Sequence, residues 1–168
     1  MLKRPELLSP AGNLTKLKIA LEYGADAVYG SVASFSLRTR SAREFNLETF
    51  KEAIDYTHEK GKKFYATINA FPFNSQIEPL KRHLQTISAM KPDAFIIATP
   101  GVMSLAKEIA PDIEIHLSTQ ANVMNVLDAK IYHDMGAKRI VVAREMNLKD
   151  VIKIKEEIPT LDIEIFVH

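Results

Sequence analysis

Along most of the chain, short apolar runs alternate with longer stretches in which apolar residues recur every three or four positions. The runs AFIIA (94–98) and IVVA (140–143) contain no polar residue. Strands buried on both faces have this composition, as in a parallel sheet covered by helices. Strands are expected at Glu6–Leu8, Ala27–Tyr29, Phe64–Ile68, Ala94–Ala98, Ile113–Leu117, Arg139–Ala143 and Ile163–Val167. Between them lie helical stripes. The first, opened by Asn13, carries Leu14, Leu17, Ile19, Ala20 and Leu21; the third carries Ile77, Leu80, Leu84, Ile87 and Met90. Asn46 or Thr49 is placed to cap the second helix, which stops at Gly61; Pro100-Gly101 precedes the fourth, Asn122 or Asn125 the fifth, and Asn147 the sixth.

A weak internal repeat supports the alternation. Gly24-Ala25-Asp26-Ala27-Val28-Tyr29 and Gly136-Ala137-Lys138-Arg139-Ile140-Val141 share one form, and Lys91-Pro92-Asp93-Ala94-Phe95-Ile96 is a looser copy. Each ends a helix, turns and enters an apolar strand, which defines successive βα units. About seven parallel strands and six helices follow, as an open doubly wound sheet or a (β/α)8 barrel. The barrel is favoured. No GxGxxG follows the first strand, and polar clusters follow nearly every strand instead of gathering at one switch point. A full TIM-type barrel has eight strands and typically about 250 residues. The expected fold class is therefore α/β, an incomplete (β/α)8 barrel, with residues 1–168 forming its N-terminal part.

Composition narrows the picture further. The chain is 46% hydrophobic and 26% charged with a net charge of +1, so no overall field draws it to nucleic acid or an anionic membrane. It has no apolar run of membrane-spanning length, and MLKRPELLSP is not a signal peptide, so a cytoplasmic location is expected. Cysteine is absent, which excludes thiol catalysis and thiolate-held clusters within these residues.

Working residues of such barrels lie at the C-terminal ends of the strands. Those positions hold Ser9–Asn13; Phe35–Arg38 with Arg40 and Arg43; Asn69–Asn74; Thr99–Gly101; Ser118–Asn122; Arg144-Glu145; and His168. Amides, hydroxyls and guanidinium groups suit a polar, anionic ligand. The candidate ligand-binding set is Arg38, Asn69, Ser118, Gln120, Asn122, Arg144 and Glu145. For any one of these, capping the next helix or pairing with Glu44 or Glu145 is an equally good account. Gln120 is not a typical cap, and Arg38 lies in a long loop, so these two and Arg144 lead the set. His116 reads as a satisfied core histidine, His83 and His133 as solvated, and Lys60, Lys62 and Lys63 as a solvated turn on the opposite face. Phe35, Phe71 and Phe73 could stack a base or simply close over the barrel. Ser118, His116 and Asp128 make a triad only on paper. There is no GxSxG or HExxH.

Six motifs together resemble the collagenase-like peptidase family of class U, number thirty-two: ELLSPAGN (6–13), GADAVY (24–29), FSLR (35–38), NAFPFN (69–74), HLSTQANVMN (116–125) and EIFVH (164–168). They cover essentially the whole chain in order. The resemblance implies that EIFVH leads into a Gly-x-x-Cys segment whose cysteines hold an iron–sulfur cluster. The chain stops before that segment, so it is expected to be the N-terminal fragment of a longer protein, inactive alone and without a cofactor of its own. The resemblance implies two activities for the parent protein: peptide-bond hydrolysis, as the family is classified, or prephenate-dependent hydroxylation of a tRNA uridine, with related members acting on rRNA or a quinone precursor. The arginine–amide rim fits the second better, with an anionic metabolite or RNA as partner and no membrane. A third alternative is a binding or assembly module that forms homo-oligomers through open barrel edges.

Overall fold

A computed structural model describes residues 4–32, 35–36 and 45–167. Among the described residues there are seven strands: β1 (Leu8–Pro10), β2 (Ala27–Gly30), β3 (Lys63–Ile68), β4 (Ala94–Ile97), β5 (Glu114–Leu117), β6 (Arg139–Val141) and β7 (Asp162–Glu164). Six helices alternate with them: α1 (Leu14–Glu22), α2 (Leu47–Glu59), α3 (Ile77–Ala89), α4 (Pro100–Ile109), α5 (Val126–Asp134) and α6 (Leu148–Glu157). The strands lie in chain order in one sheet and every neighbouring pair is parallel. The result is a curled, incomplete (β/α)8 barrel, as the alternation predicts.

Asparagine and threonine side chains start five of the six α-helices, and α3 has no side-chain cap. Asn13, Asn46, Thr99, Asn125 and Asn147 each accept the backbone N–H three residues on, and Thr49 completes a reciprocal cap with Asn46. Thus Asn125, not Asn122, caps α5. Helices α1, α2 and α5 end on left-handed glycines, Gly24, Gly61 and Gly136, whereas α3 ends on Lys91 at φ 60°.

The repeated turn has a mechanical purpose. The Asp26 carboxylate accepts the Leu7 N–H (3.0 Å), and the Asp93 carboxylate accepts the Phe64 N–H (2.8 Å), so each aspartate ties the preceding strand to the next. Asp26 also meets Arg4 and Lys62. The Leu7 N–H, followed by these two cations, holds its carboxyl down to about 2.

Alternation along the strands divides two cores. Val28, Phe64, Ala66, Ile68, Phe95, Ile97, Ile115 and Ile140 face the helices. Phe50 and Phe64 meet edge to face at 5.1 Å and both are buried, each side chain contributing about 2–3 kcal/mol by leaving water. Ala27, Tyr65, Ala94 and Ile96, flanked by Leu8 and Tyr29, face the barrel lumen. Several expectations shift: β6 ends at Val141 and β7 at Glu164, short of the expected Ala143 and Val167. The first strand begins at Leu8, and Glu6 lies ahead of it, because the Leu7 carbonyl serves the turn N–H groups of Asp26 and Ala27. Ile19, placed on the buried stripe of α1, is half exposed.

Candidate functional site at the barrel mouth

Three of the expected ligand residues converge. Asn69 follows β3 and is buried, and its Nδ2 donates to Gln120 Oε1 at 3.2 Å. Ser118 follows β5 and is also buried, and its Oγ donates to the same Gln120 oxygen. Residues 119–121 form a single 3-10 turn that lifts Gln120 back over the strand ends. One amide oxygen thus gathers two donors, while the Gln120 side chain lies on an exposed residue. Asparagine tolerates the left-handed backbone at the end of that turn, and Asn122 (φ 54°, ψ 45°) occupies it as an exposed residue.

The other candidates are placed differently. Arg144, exposed after β6, lays its guanidinium 3.7 Å from the centre of the Phe166 ring, beside a groove that includes Val142, Met146, Leu148 and Ile165. Glu145 is exposed in the same turn. Arg38 lies outside the described residues, as do Arg40, Arg43 and His168. The paper triad does not assemble. Asp128 accepts from Asn125 Nδ2 at 2.7 Å in the first turn of α5, and Ser118 serves Gln120. Phe35 is buried with its ring tilted against His83 at 5.1 Å, whereas Phe71 and Phe73 are exposed. His83 is accordingly not a solvated histidine: burial pushes its pKa down.

A second polar group fills the lower lumen, and most of it was not legible in the sequence. Arg139 Nη1 donates to Glu6 Oε1 at 2.7 Å and lies 3.6 Å from Glu164 Oε2; Nη2 is 3.8 Å from Asp162. Tyr65 Oη also donates to Glu6 Oε1, at 2.8 Å. Burial favours a neutral guanidine, but the Glu6 hydrogen bond and the surrounding carboxylates overcome it and keep Arg139 protonated. Burial, and then the bond to Glu6, pushes the Tyr65 phenol up. His116 stands edge-on to Tyr65 at 4.5 Å and is almost wholly buried. Burial, with repulsion from Arg139 and Lys63, takes its pKa down to about 3, so the ring is neutral. It is a core histidine as expected, but among the described residues its Nδ1 has no hydrogen-bond partner. The period-two alternation of Tyr65 and Thr67 on β3 was the available signal that polar groups enter the lumen.

The residues fit no iron–sulfur cluster. The chain has no cysteine, and among the described residues no three His, Asp or Glu side chains gather as a metal site. Among the described residues, no helix is long and apolar enough to cross a membrane.

Sheet, helices and polar mouth together define a (β/α)-barrel protein with its strand-end loops gathered above the lumen. Residues 12–168 match the model of peptidase family U32, and the chain belongs to that family. It is 65% identical over 163 residues to tRNA hydroxylation protein P of Helicobacter pylori strain 26695, covering 97% of this chain and 39% of that protein. Against tRNA hydroxylation protein P of Escherichia coli K12 it is 42% identical over 165 residues, covering 98% of this chain and 36% of that protein. Among solved structures, the U32 peptidase Mk0906 superposes with a TM-score of 0.77 at 16% identity, covering 98% of this chain and 70% of that one, a likeness of fold. The chain therefore spans well under half the length of these two tRNA hydroxylation proteins.

Proposed function

We propose that the chain is the N-terminal barrel portion of a tRNA hydroxylation protein, and that the mouth formed by Asn69, Ser118 and Gln120 contacts an anionic small molecule or RNA in the whole protein. The observation that carries this reading is the 65% identity to the Helicobacter protein over nearly the full chain. The mouth chemistry is consistent with it: uncharged donors and acceptors at strand ends recognise polar groups. Thiolate ligands for an iron–sulfur cluster would come from the remaining polypeptide, since this chain supplies none. The isolated chain is accordingly inactive. Mass spectrometry of tRNA from a deletion strain tests the reading: loss of anticodon uridine hydroxylation is expected, and unchanged hydroxylation overturns it.

The family's name favours a second reading, peptide-bond hydrolysis. Ser118 bonds to an amide, not to an imidazole, which gives it no base. Peptide cleavage by rigorously purified full-length protein, retained when the cysteines of the remaining polypeptide are replaced, would establish this second reading against the first.

A further inference from the structure

The sheet has two edges, β1 and β7, and among the described residues no strand lies between them. On β7, the Asp162 N–H donates to the Lys138 carbonyl and the Glu164 carbonyl accepts the Val142 N–H, both at 3.0 Å. Backbone groups alternate sides along a strand, so those of Ile163 turn away from β6 toward the gap. Side chains bridge the gap at its lower end. Arg139 Nη1, on β6, lies 2.7 Å from Glu6, just ahead of β1, and 3.6 Å from Glu164 on β7. A gap whose borders meet through side chains in this way has the width of one strand, with neighbours about 4.8 Å away on each side. Its two faces differ. Toward the lumen stand Glu6, Asp162 and Glu164, and among the described residues Arg139 is the one cation paired with them. Glu164 Oε2 is buried with no hydrogen-bond partner among the described residues, a costly state for a carboxylate. Toward the helices, Leu148, Ile165 and Val167 line the groove beside β7, and Ile152 stands one turn along α6 from Leu148; all four are exposed. A contiguous apolar patch of this kind marks a surface that another segment covers.

We infer that the gap between β7 and β1 is filled by one strand of the remaining polypeptide, with apolar side chains toward the helices and a lysine or arginine toward the lumen, where it pairs with Glu164. Period-two alternation of apolar and basic residues is what the two faces of the gap require. Three carboxylates around one guanidinium leave the lower lumen short of positive charge. A charge-assisted hydrogen bond to Glu164 Oε2 answers both that excess and the orphaned oxygen. A second copy of this chain fits the gap worse. Across a two-fold axis β7 would meet β7, and Asp162 and Glu164 would face their own counterparts, like charge against like. The inference rests on the chain being part of a longer protein, as proposed above, and the chain spans only 39% of its Helicobacter relative. It does not rest on the reaction carried out at the mouth.

The test uses the full-length protein. Hydrogen exchange read by mass spectrometry should show slow exchange over β7, the Ile163 amide included, at every protein concentration. Glu164→Gln then reads the charge of the strand that covers it. Opposite a lysine or arginine the substitution leaves a buried cation unpaired, and the melting temperature should fall by about 5 °C or more. Because Arg139 also faces Glu164, the comparison is repeated in an Arg139→Met background, where the fall should persist. Without a cation on the closing strand, Glu164→Gln in that background removes an unanswered carboxylate, and the protein melts at the same temperature or higher; that result overturns the inference. Fast exchange at Ile163 in the wild type overturns it without any variant. Protection that appears only at high protein concentration assigns the gap to a second copy and overturns it as well. Protection and the melting loss together, in a protein whose deletion leaves tRNA hydroxylation unchanged, would refute the proposed function while upholding the closing strand.

Discussion

Replacing Arg139 with methionine isolates the largest electrostatic feature of the lumen. Methionine keeps most of the stem volume and removes the charge shared by Glu6 and Glu164. The Arg139, Glu6 and Glu164 side chains are 12%, 25% and 19% exposed. Removing one partner of a fully buried ion pair costs about 3–5 kcal/mol. The partial exposure of Glu6 lets water compensate in part, so about 2–4 kcal/mol is expected here. The loss should also depend on pH. Burial already raises the Glu164 carboxyl above its ordinary 4.5, with Arg139 opposing the rise. Without Arg139 the folded-state value climbs further while the unfolded value stays put. A group raised in the folded state contributes stability below its unfolded value and loses it as pH climbs through the folded value. Urea unfolding followed by circular dichroism should therefore show a larger penalty at about pH 8 than at about pH 5, and Glu6→Gln combined with Arg139→Met should recover part of it. A penalty below about 1 kcal/mol, or one equal at both pH values, would refute the idea that this cation neutralises the lumen carboxylates.

Three further outcomes follow from the geometry. Lys91→Gly should stabilise the fold by about 0.5–1 kcal/mol in urea unfolding, because Lys91 ends α3 at φ 60° where glycine carries no Cβ penalty. Gly30→Ala should destabilise by about 1–3 kcal/mol, since the added methyl meets the Phe45 ring at 2.9 Å and the Ala11 carbonyl oxygen at 3.0 Å; a thermal melt unchanged from wild type would contradict this. Asp26→Asn should lower the melting temperature at neutral pH and lose its effect in acid. A carboxyl depressed in the folded state stabilises above its unfolded value and ceases to do so as pH falls through about 2, so the wild-type and variant melting curves should converge toward that pH.

The fold was legible because burial on both faces leaves little choice of residue. AFIIA at 94–98 has to be an interior strand, and strand β4 at Ala94–Ile97 is wholly buried. Helix starts were legible at Asn13 and Asn147 because a cap acts over three residues. The mouth was half legible. Asn69, Ser118 and Gln120 share an address at strand ends, and the barrel closes the 51-residue separation between Asn69 and Gln120. Arg144 could not be assigned that way, because its stacking on Phe166 depends on where β7 ends relative to β6. The Glu6–Arg139 bond was hidden for a similar reason: its partners are 133 positions apart, and each resembles an ordinary charge at the start of a strand. Thr67 falls inside the expected strand Phe64–Ile68, and only the surrounding atoms reveal that its hydroxyl has no partner among the described residues.

Because each strand lies beside its immediate predecessor, the growing polypeptide can lay down this sheet in the order of synthesis. A newly emerged βα unit needs only the edge left by the last one, so loop-closure entropy stays small at every addition. Ribosome-bound nascent chains long enough for α3 to have left the exit tunnel should already protect β1 through β3 from proteolysis, before the residue at 139 emerges to find its partner at position 6.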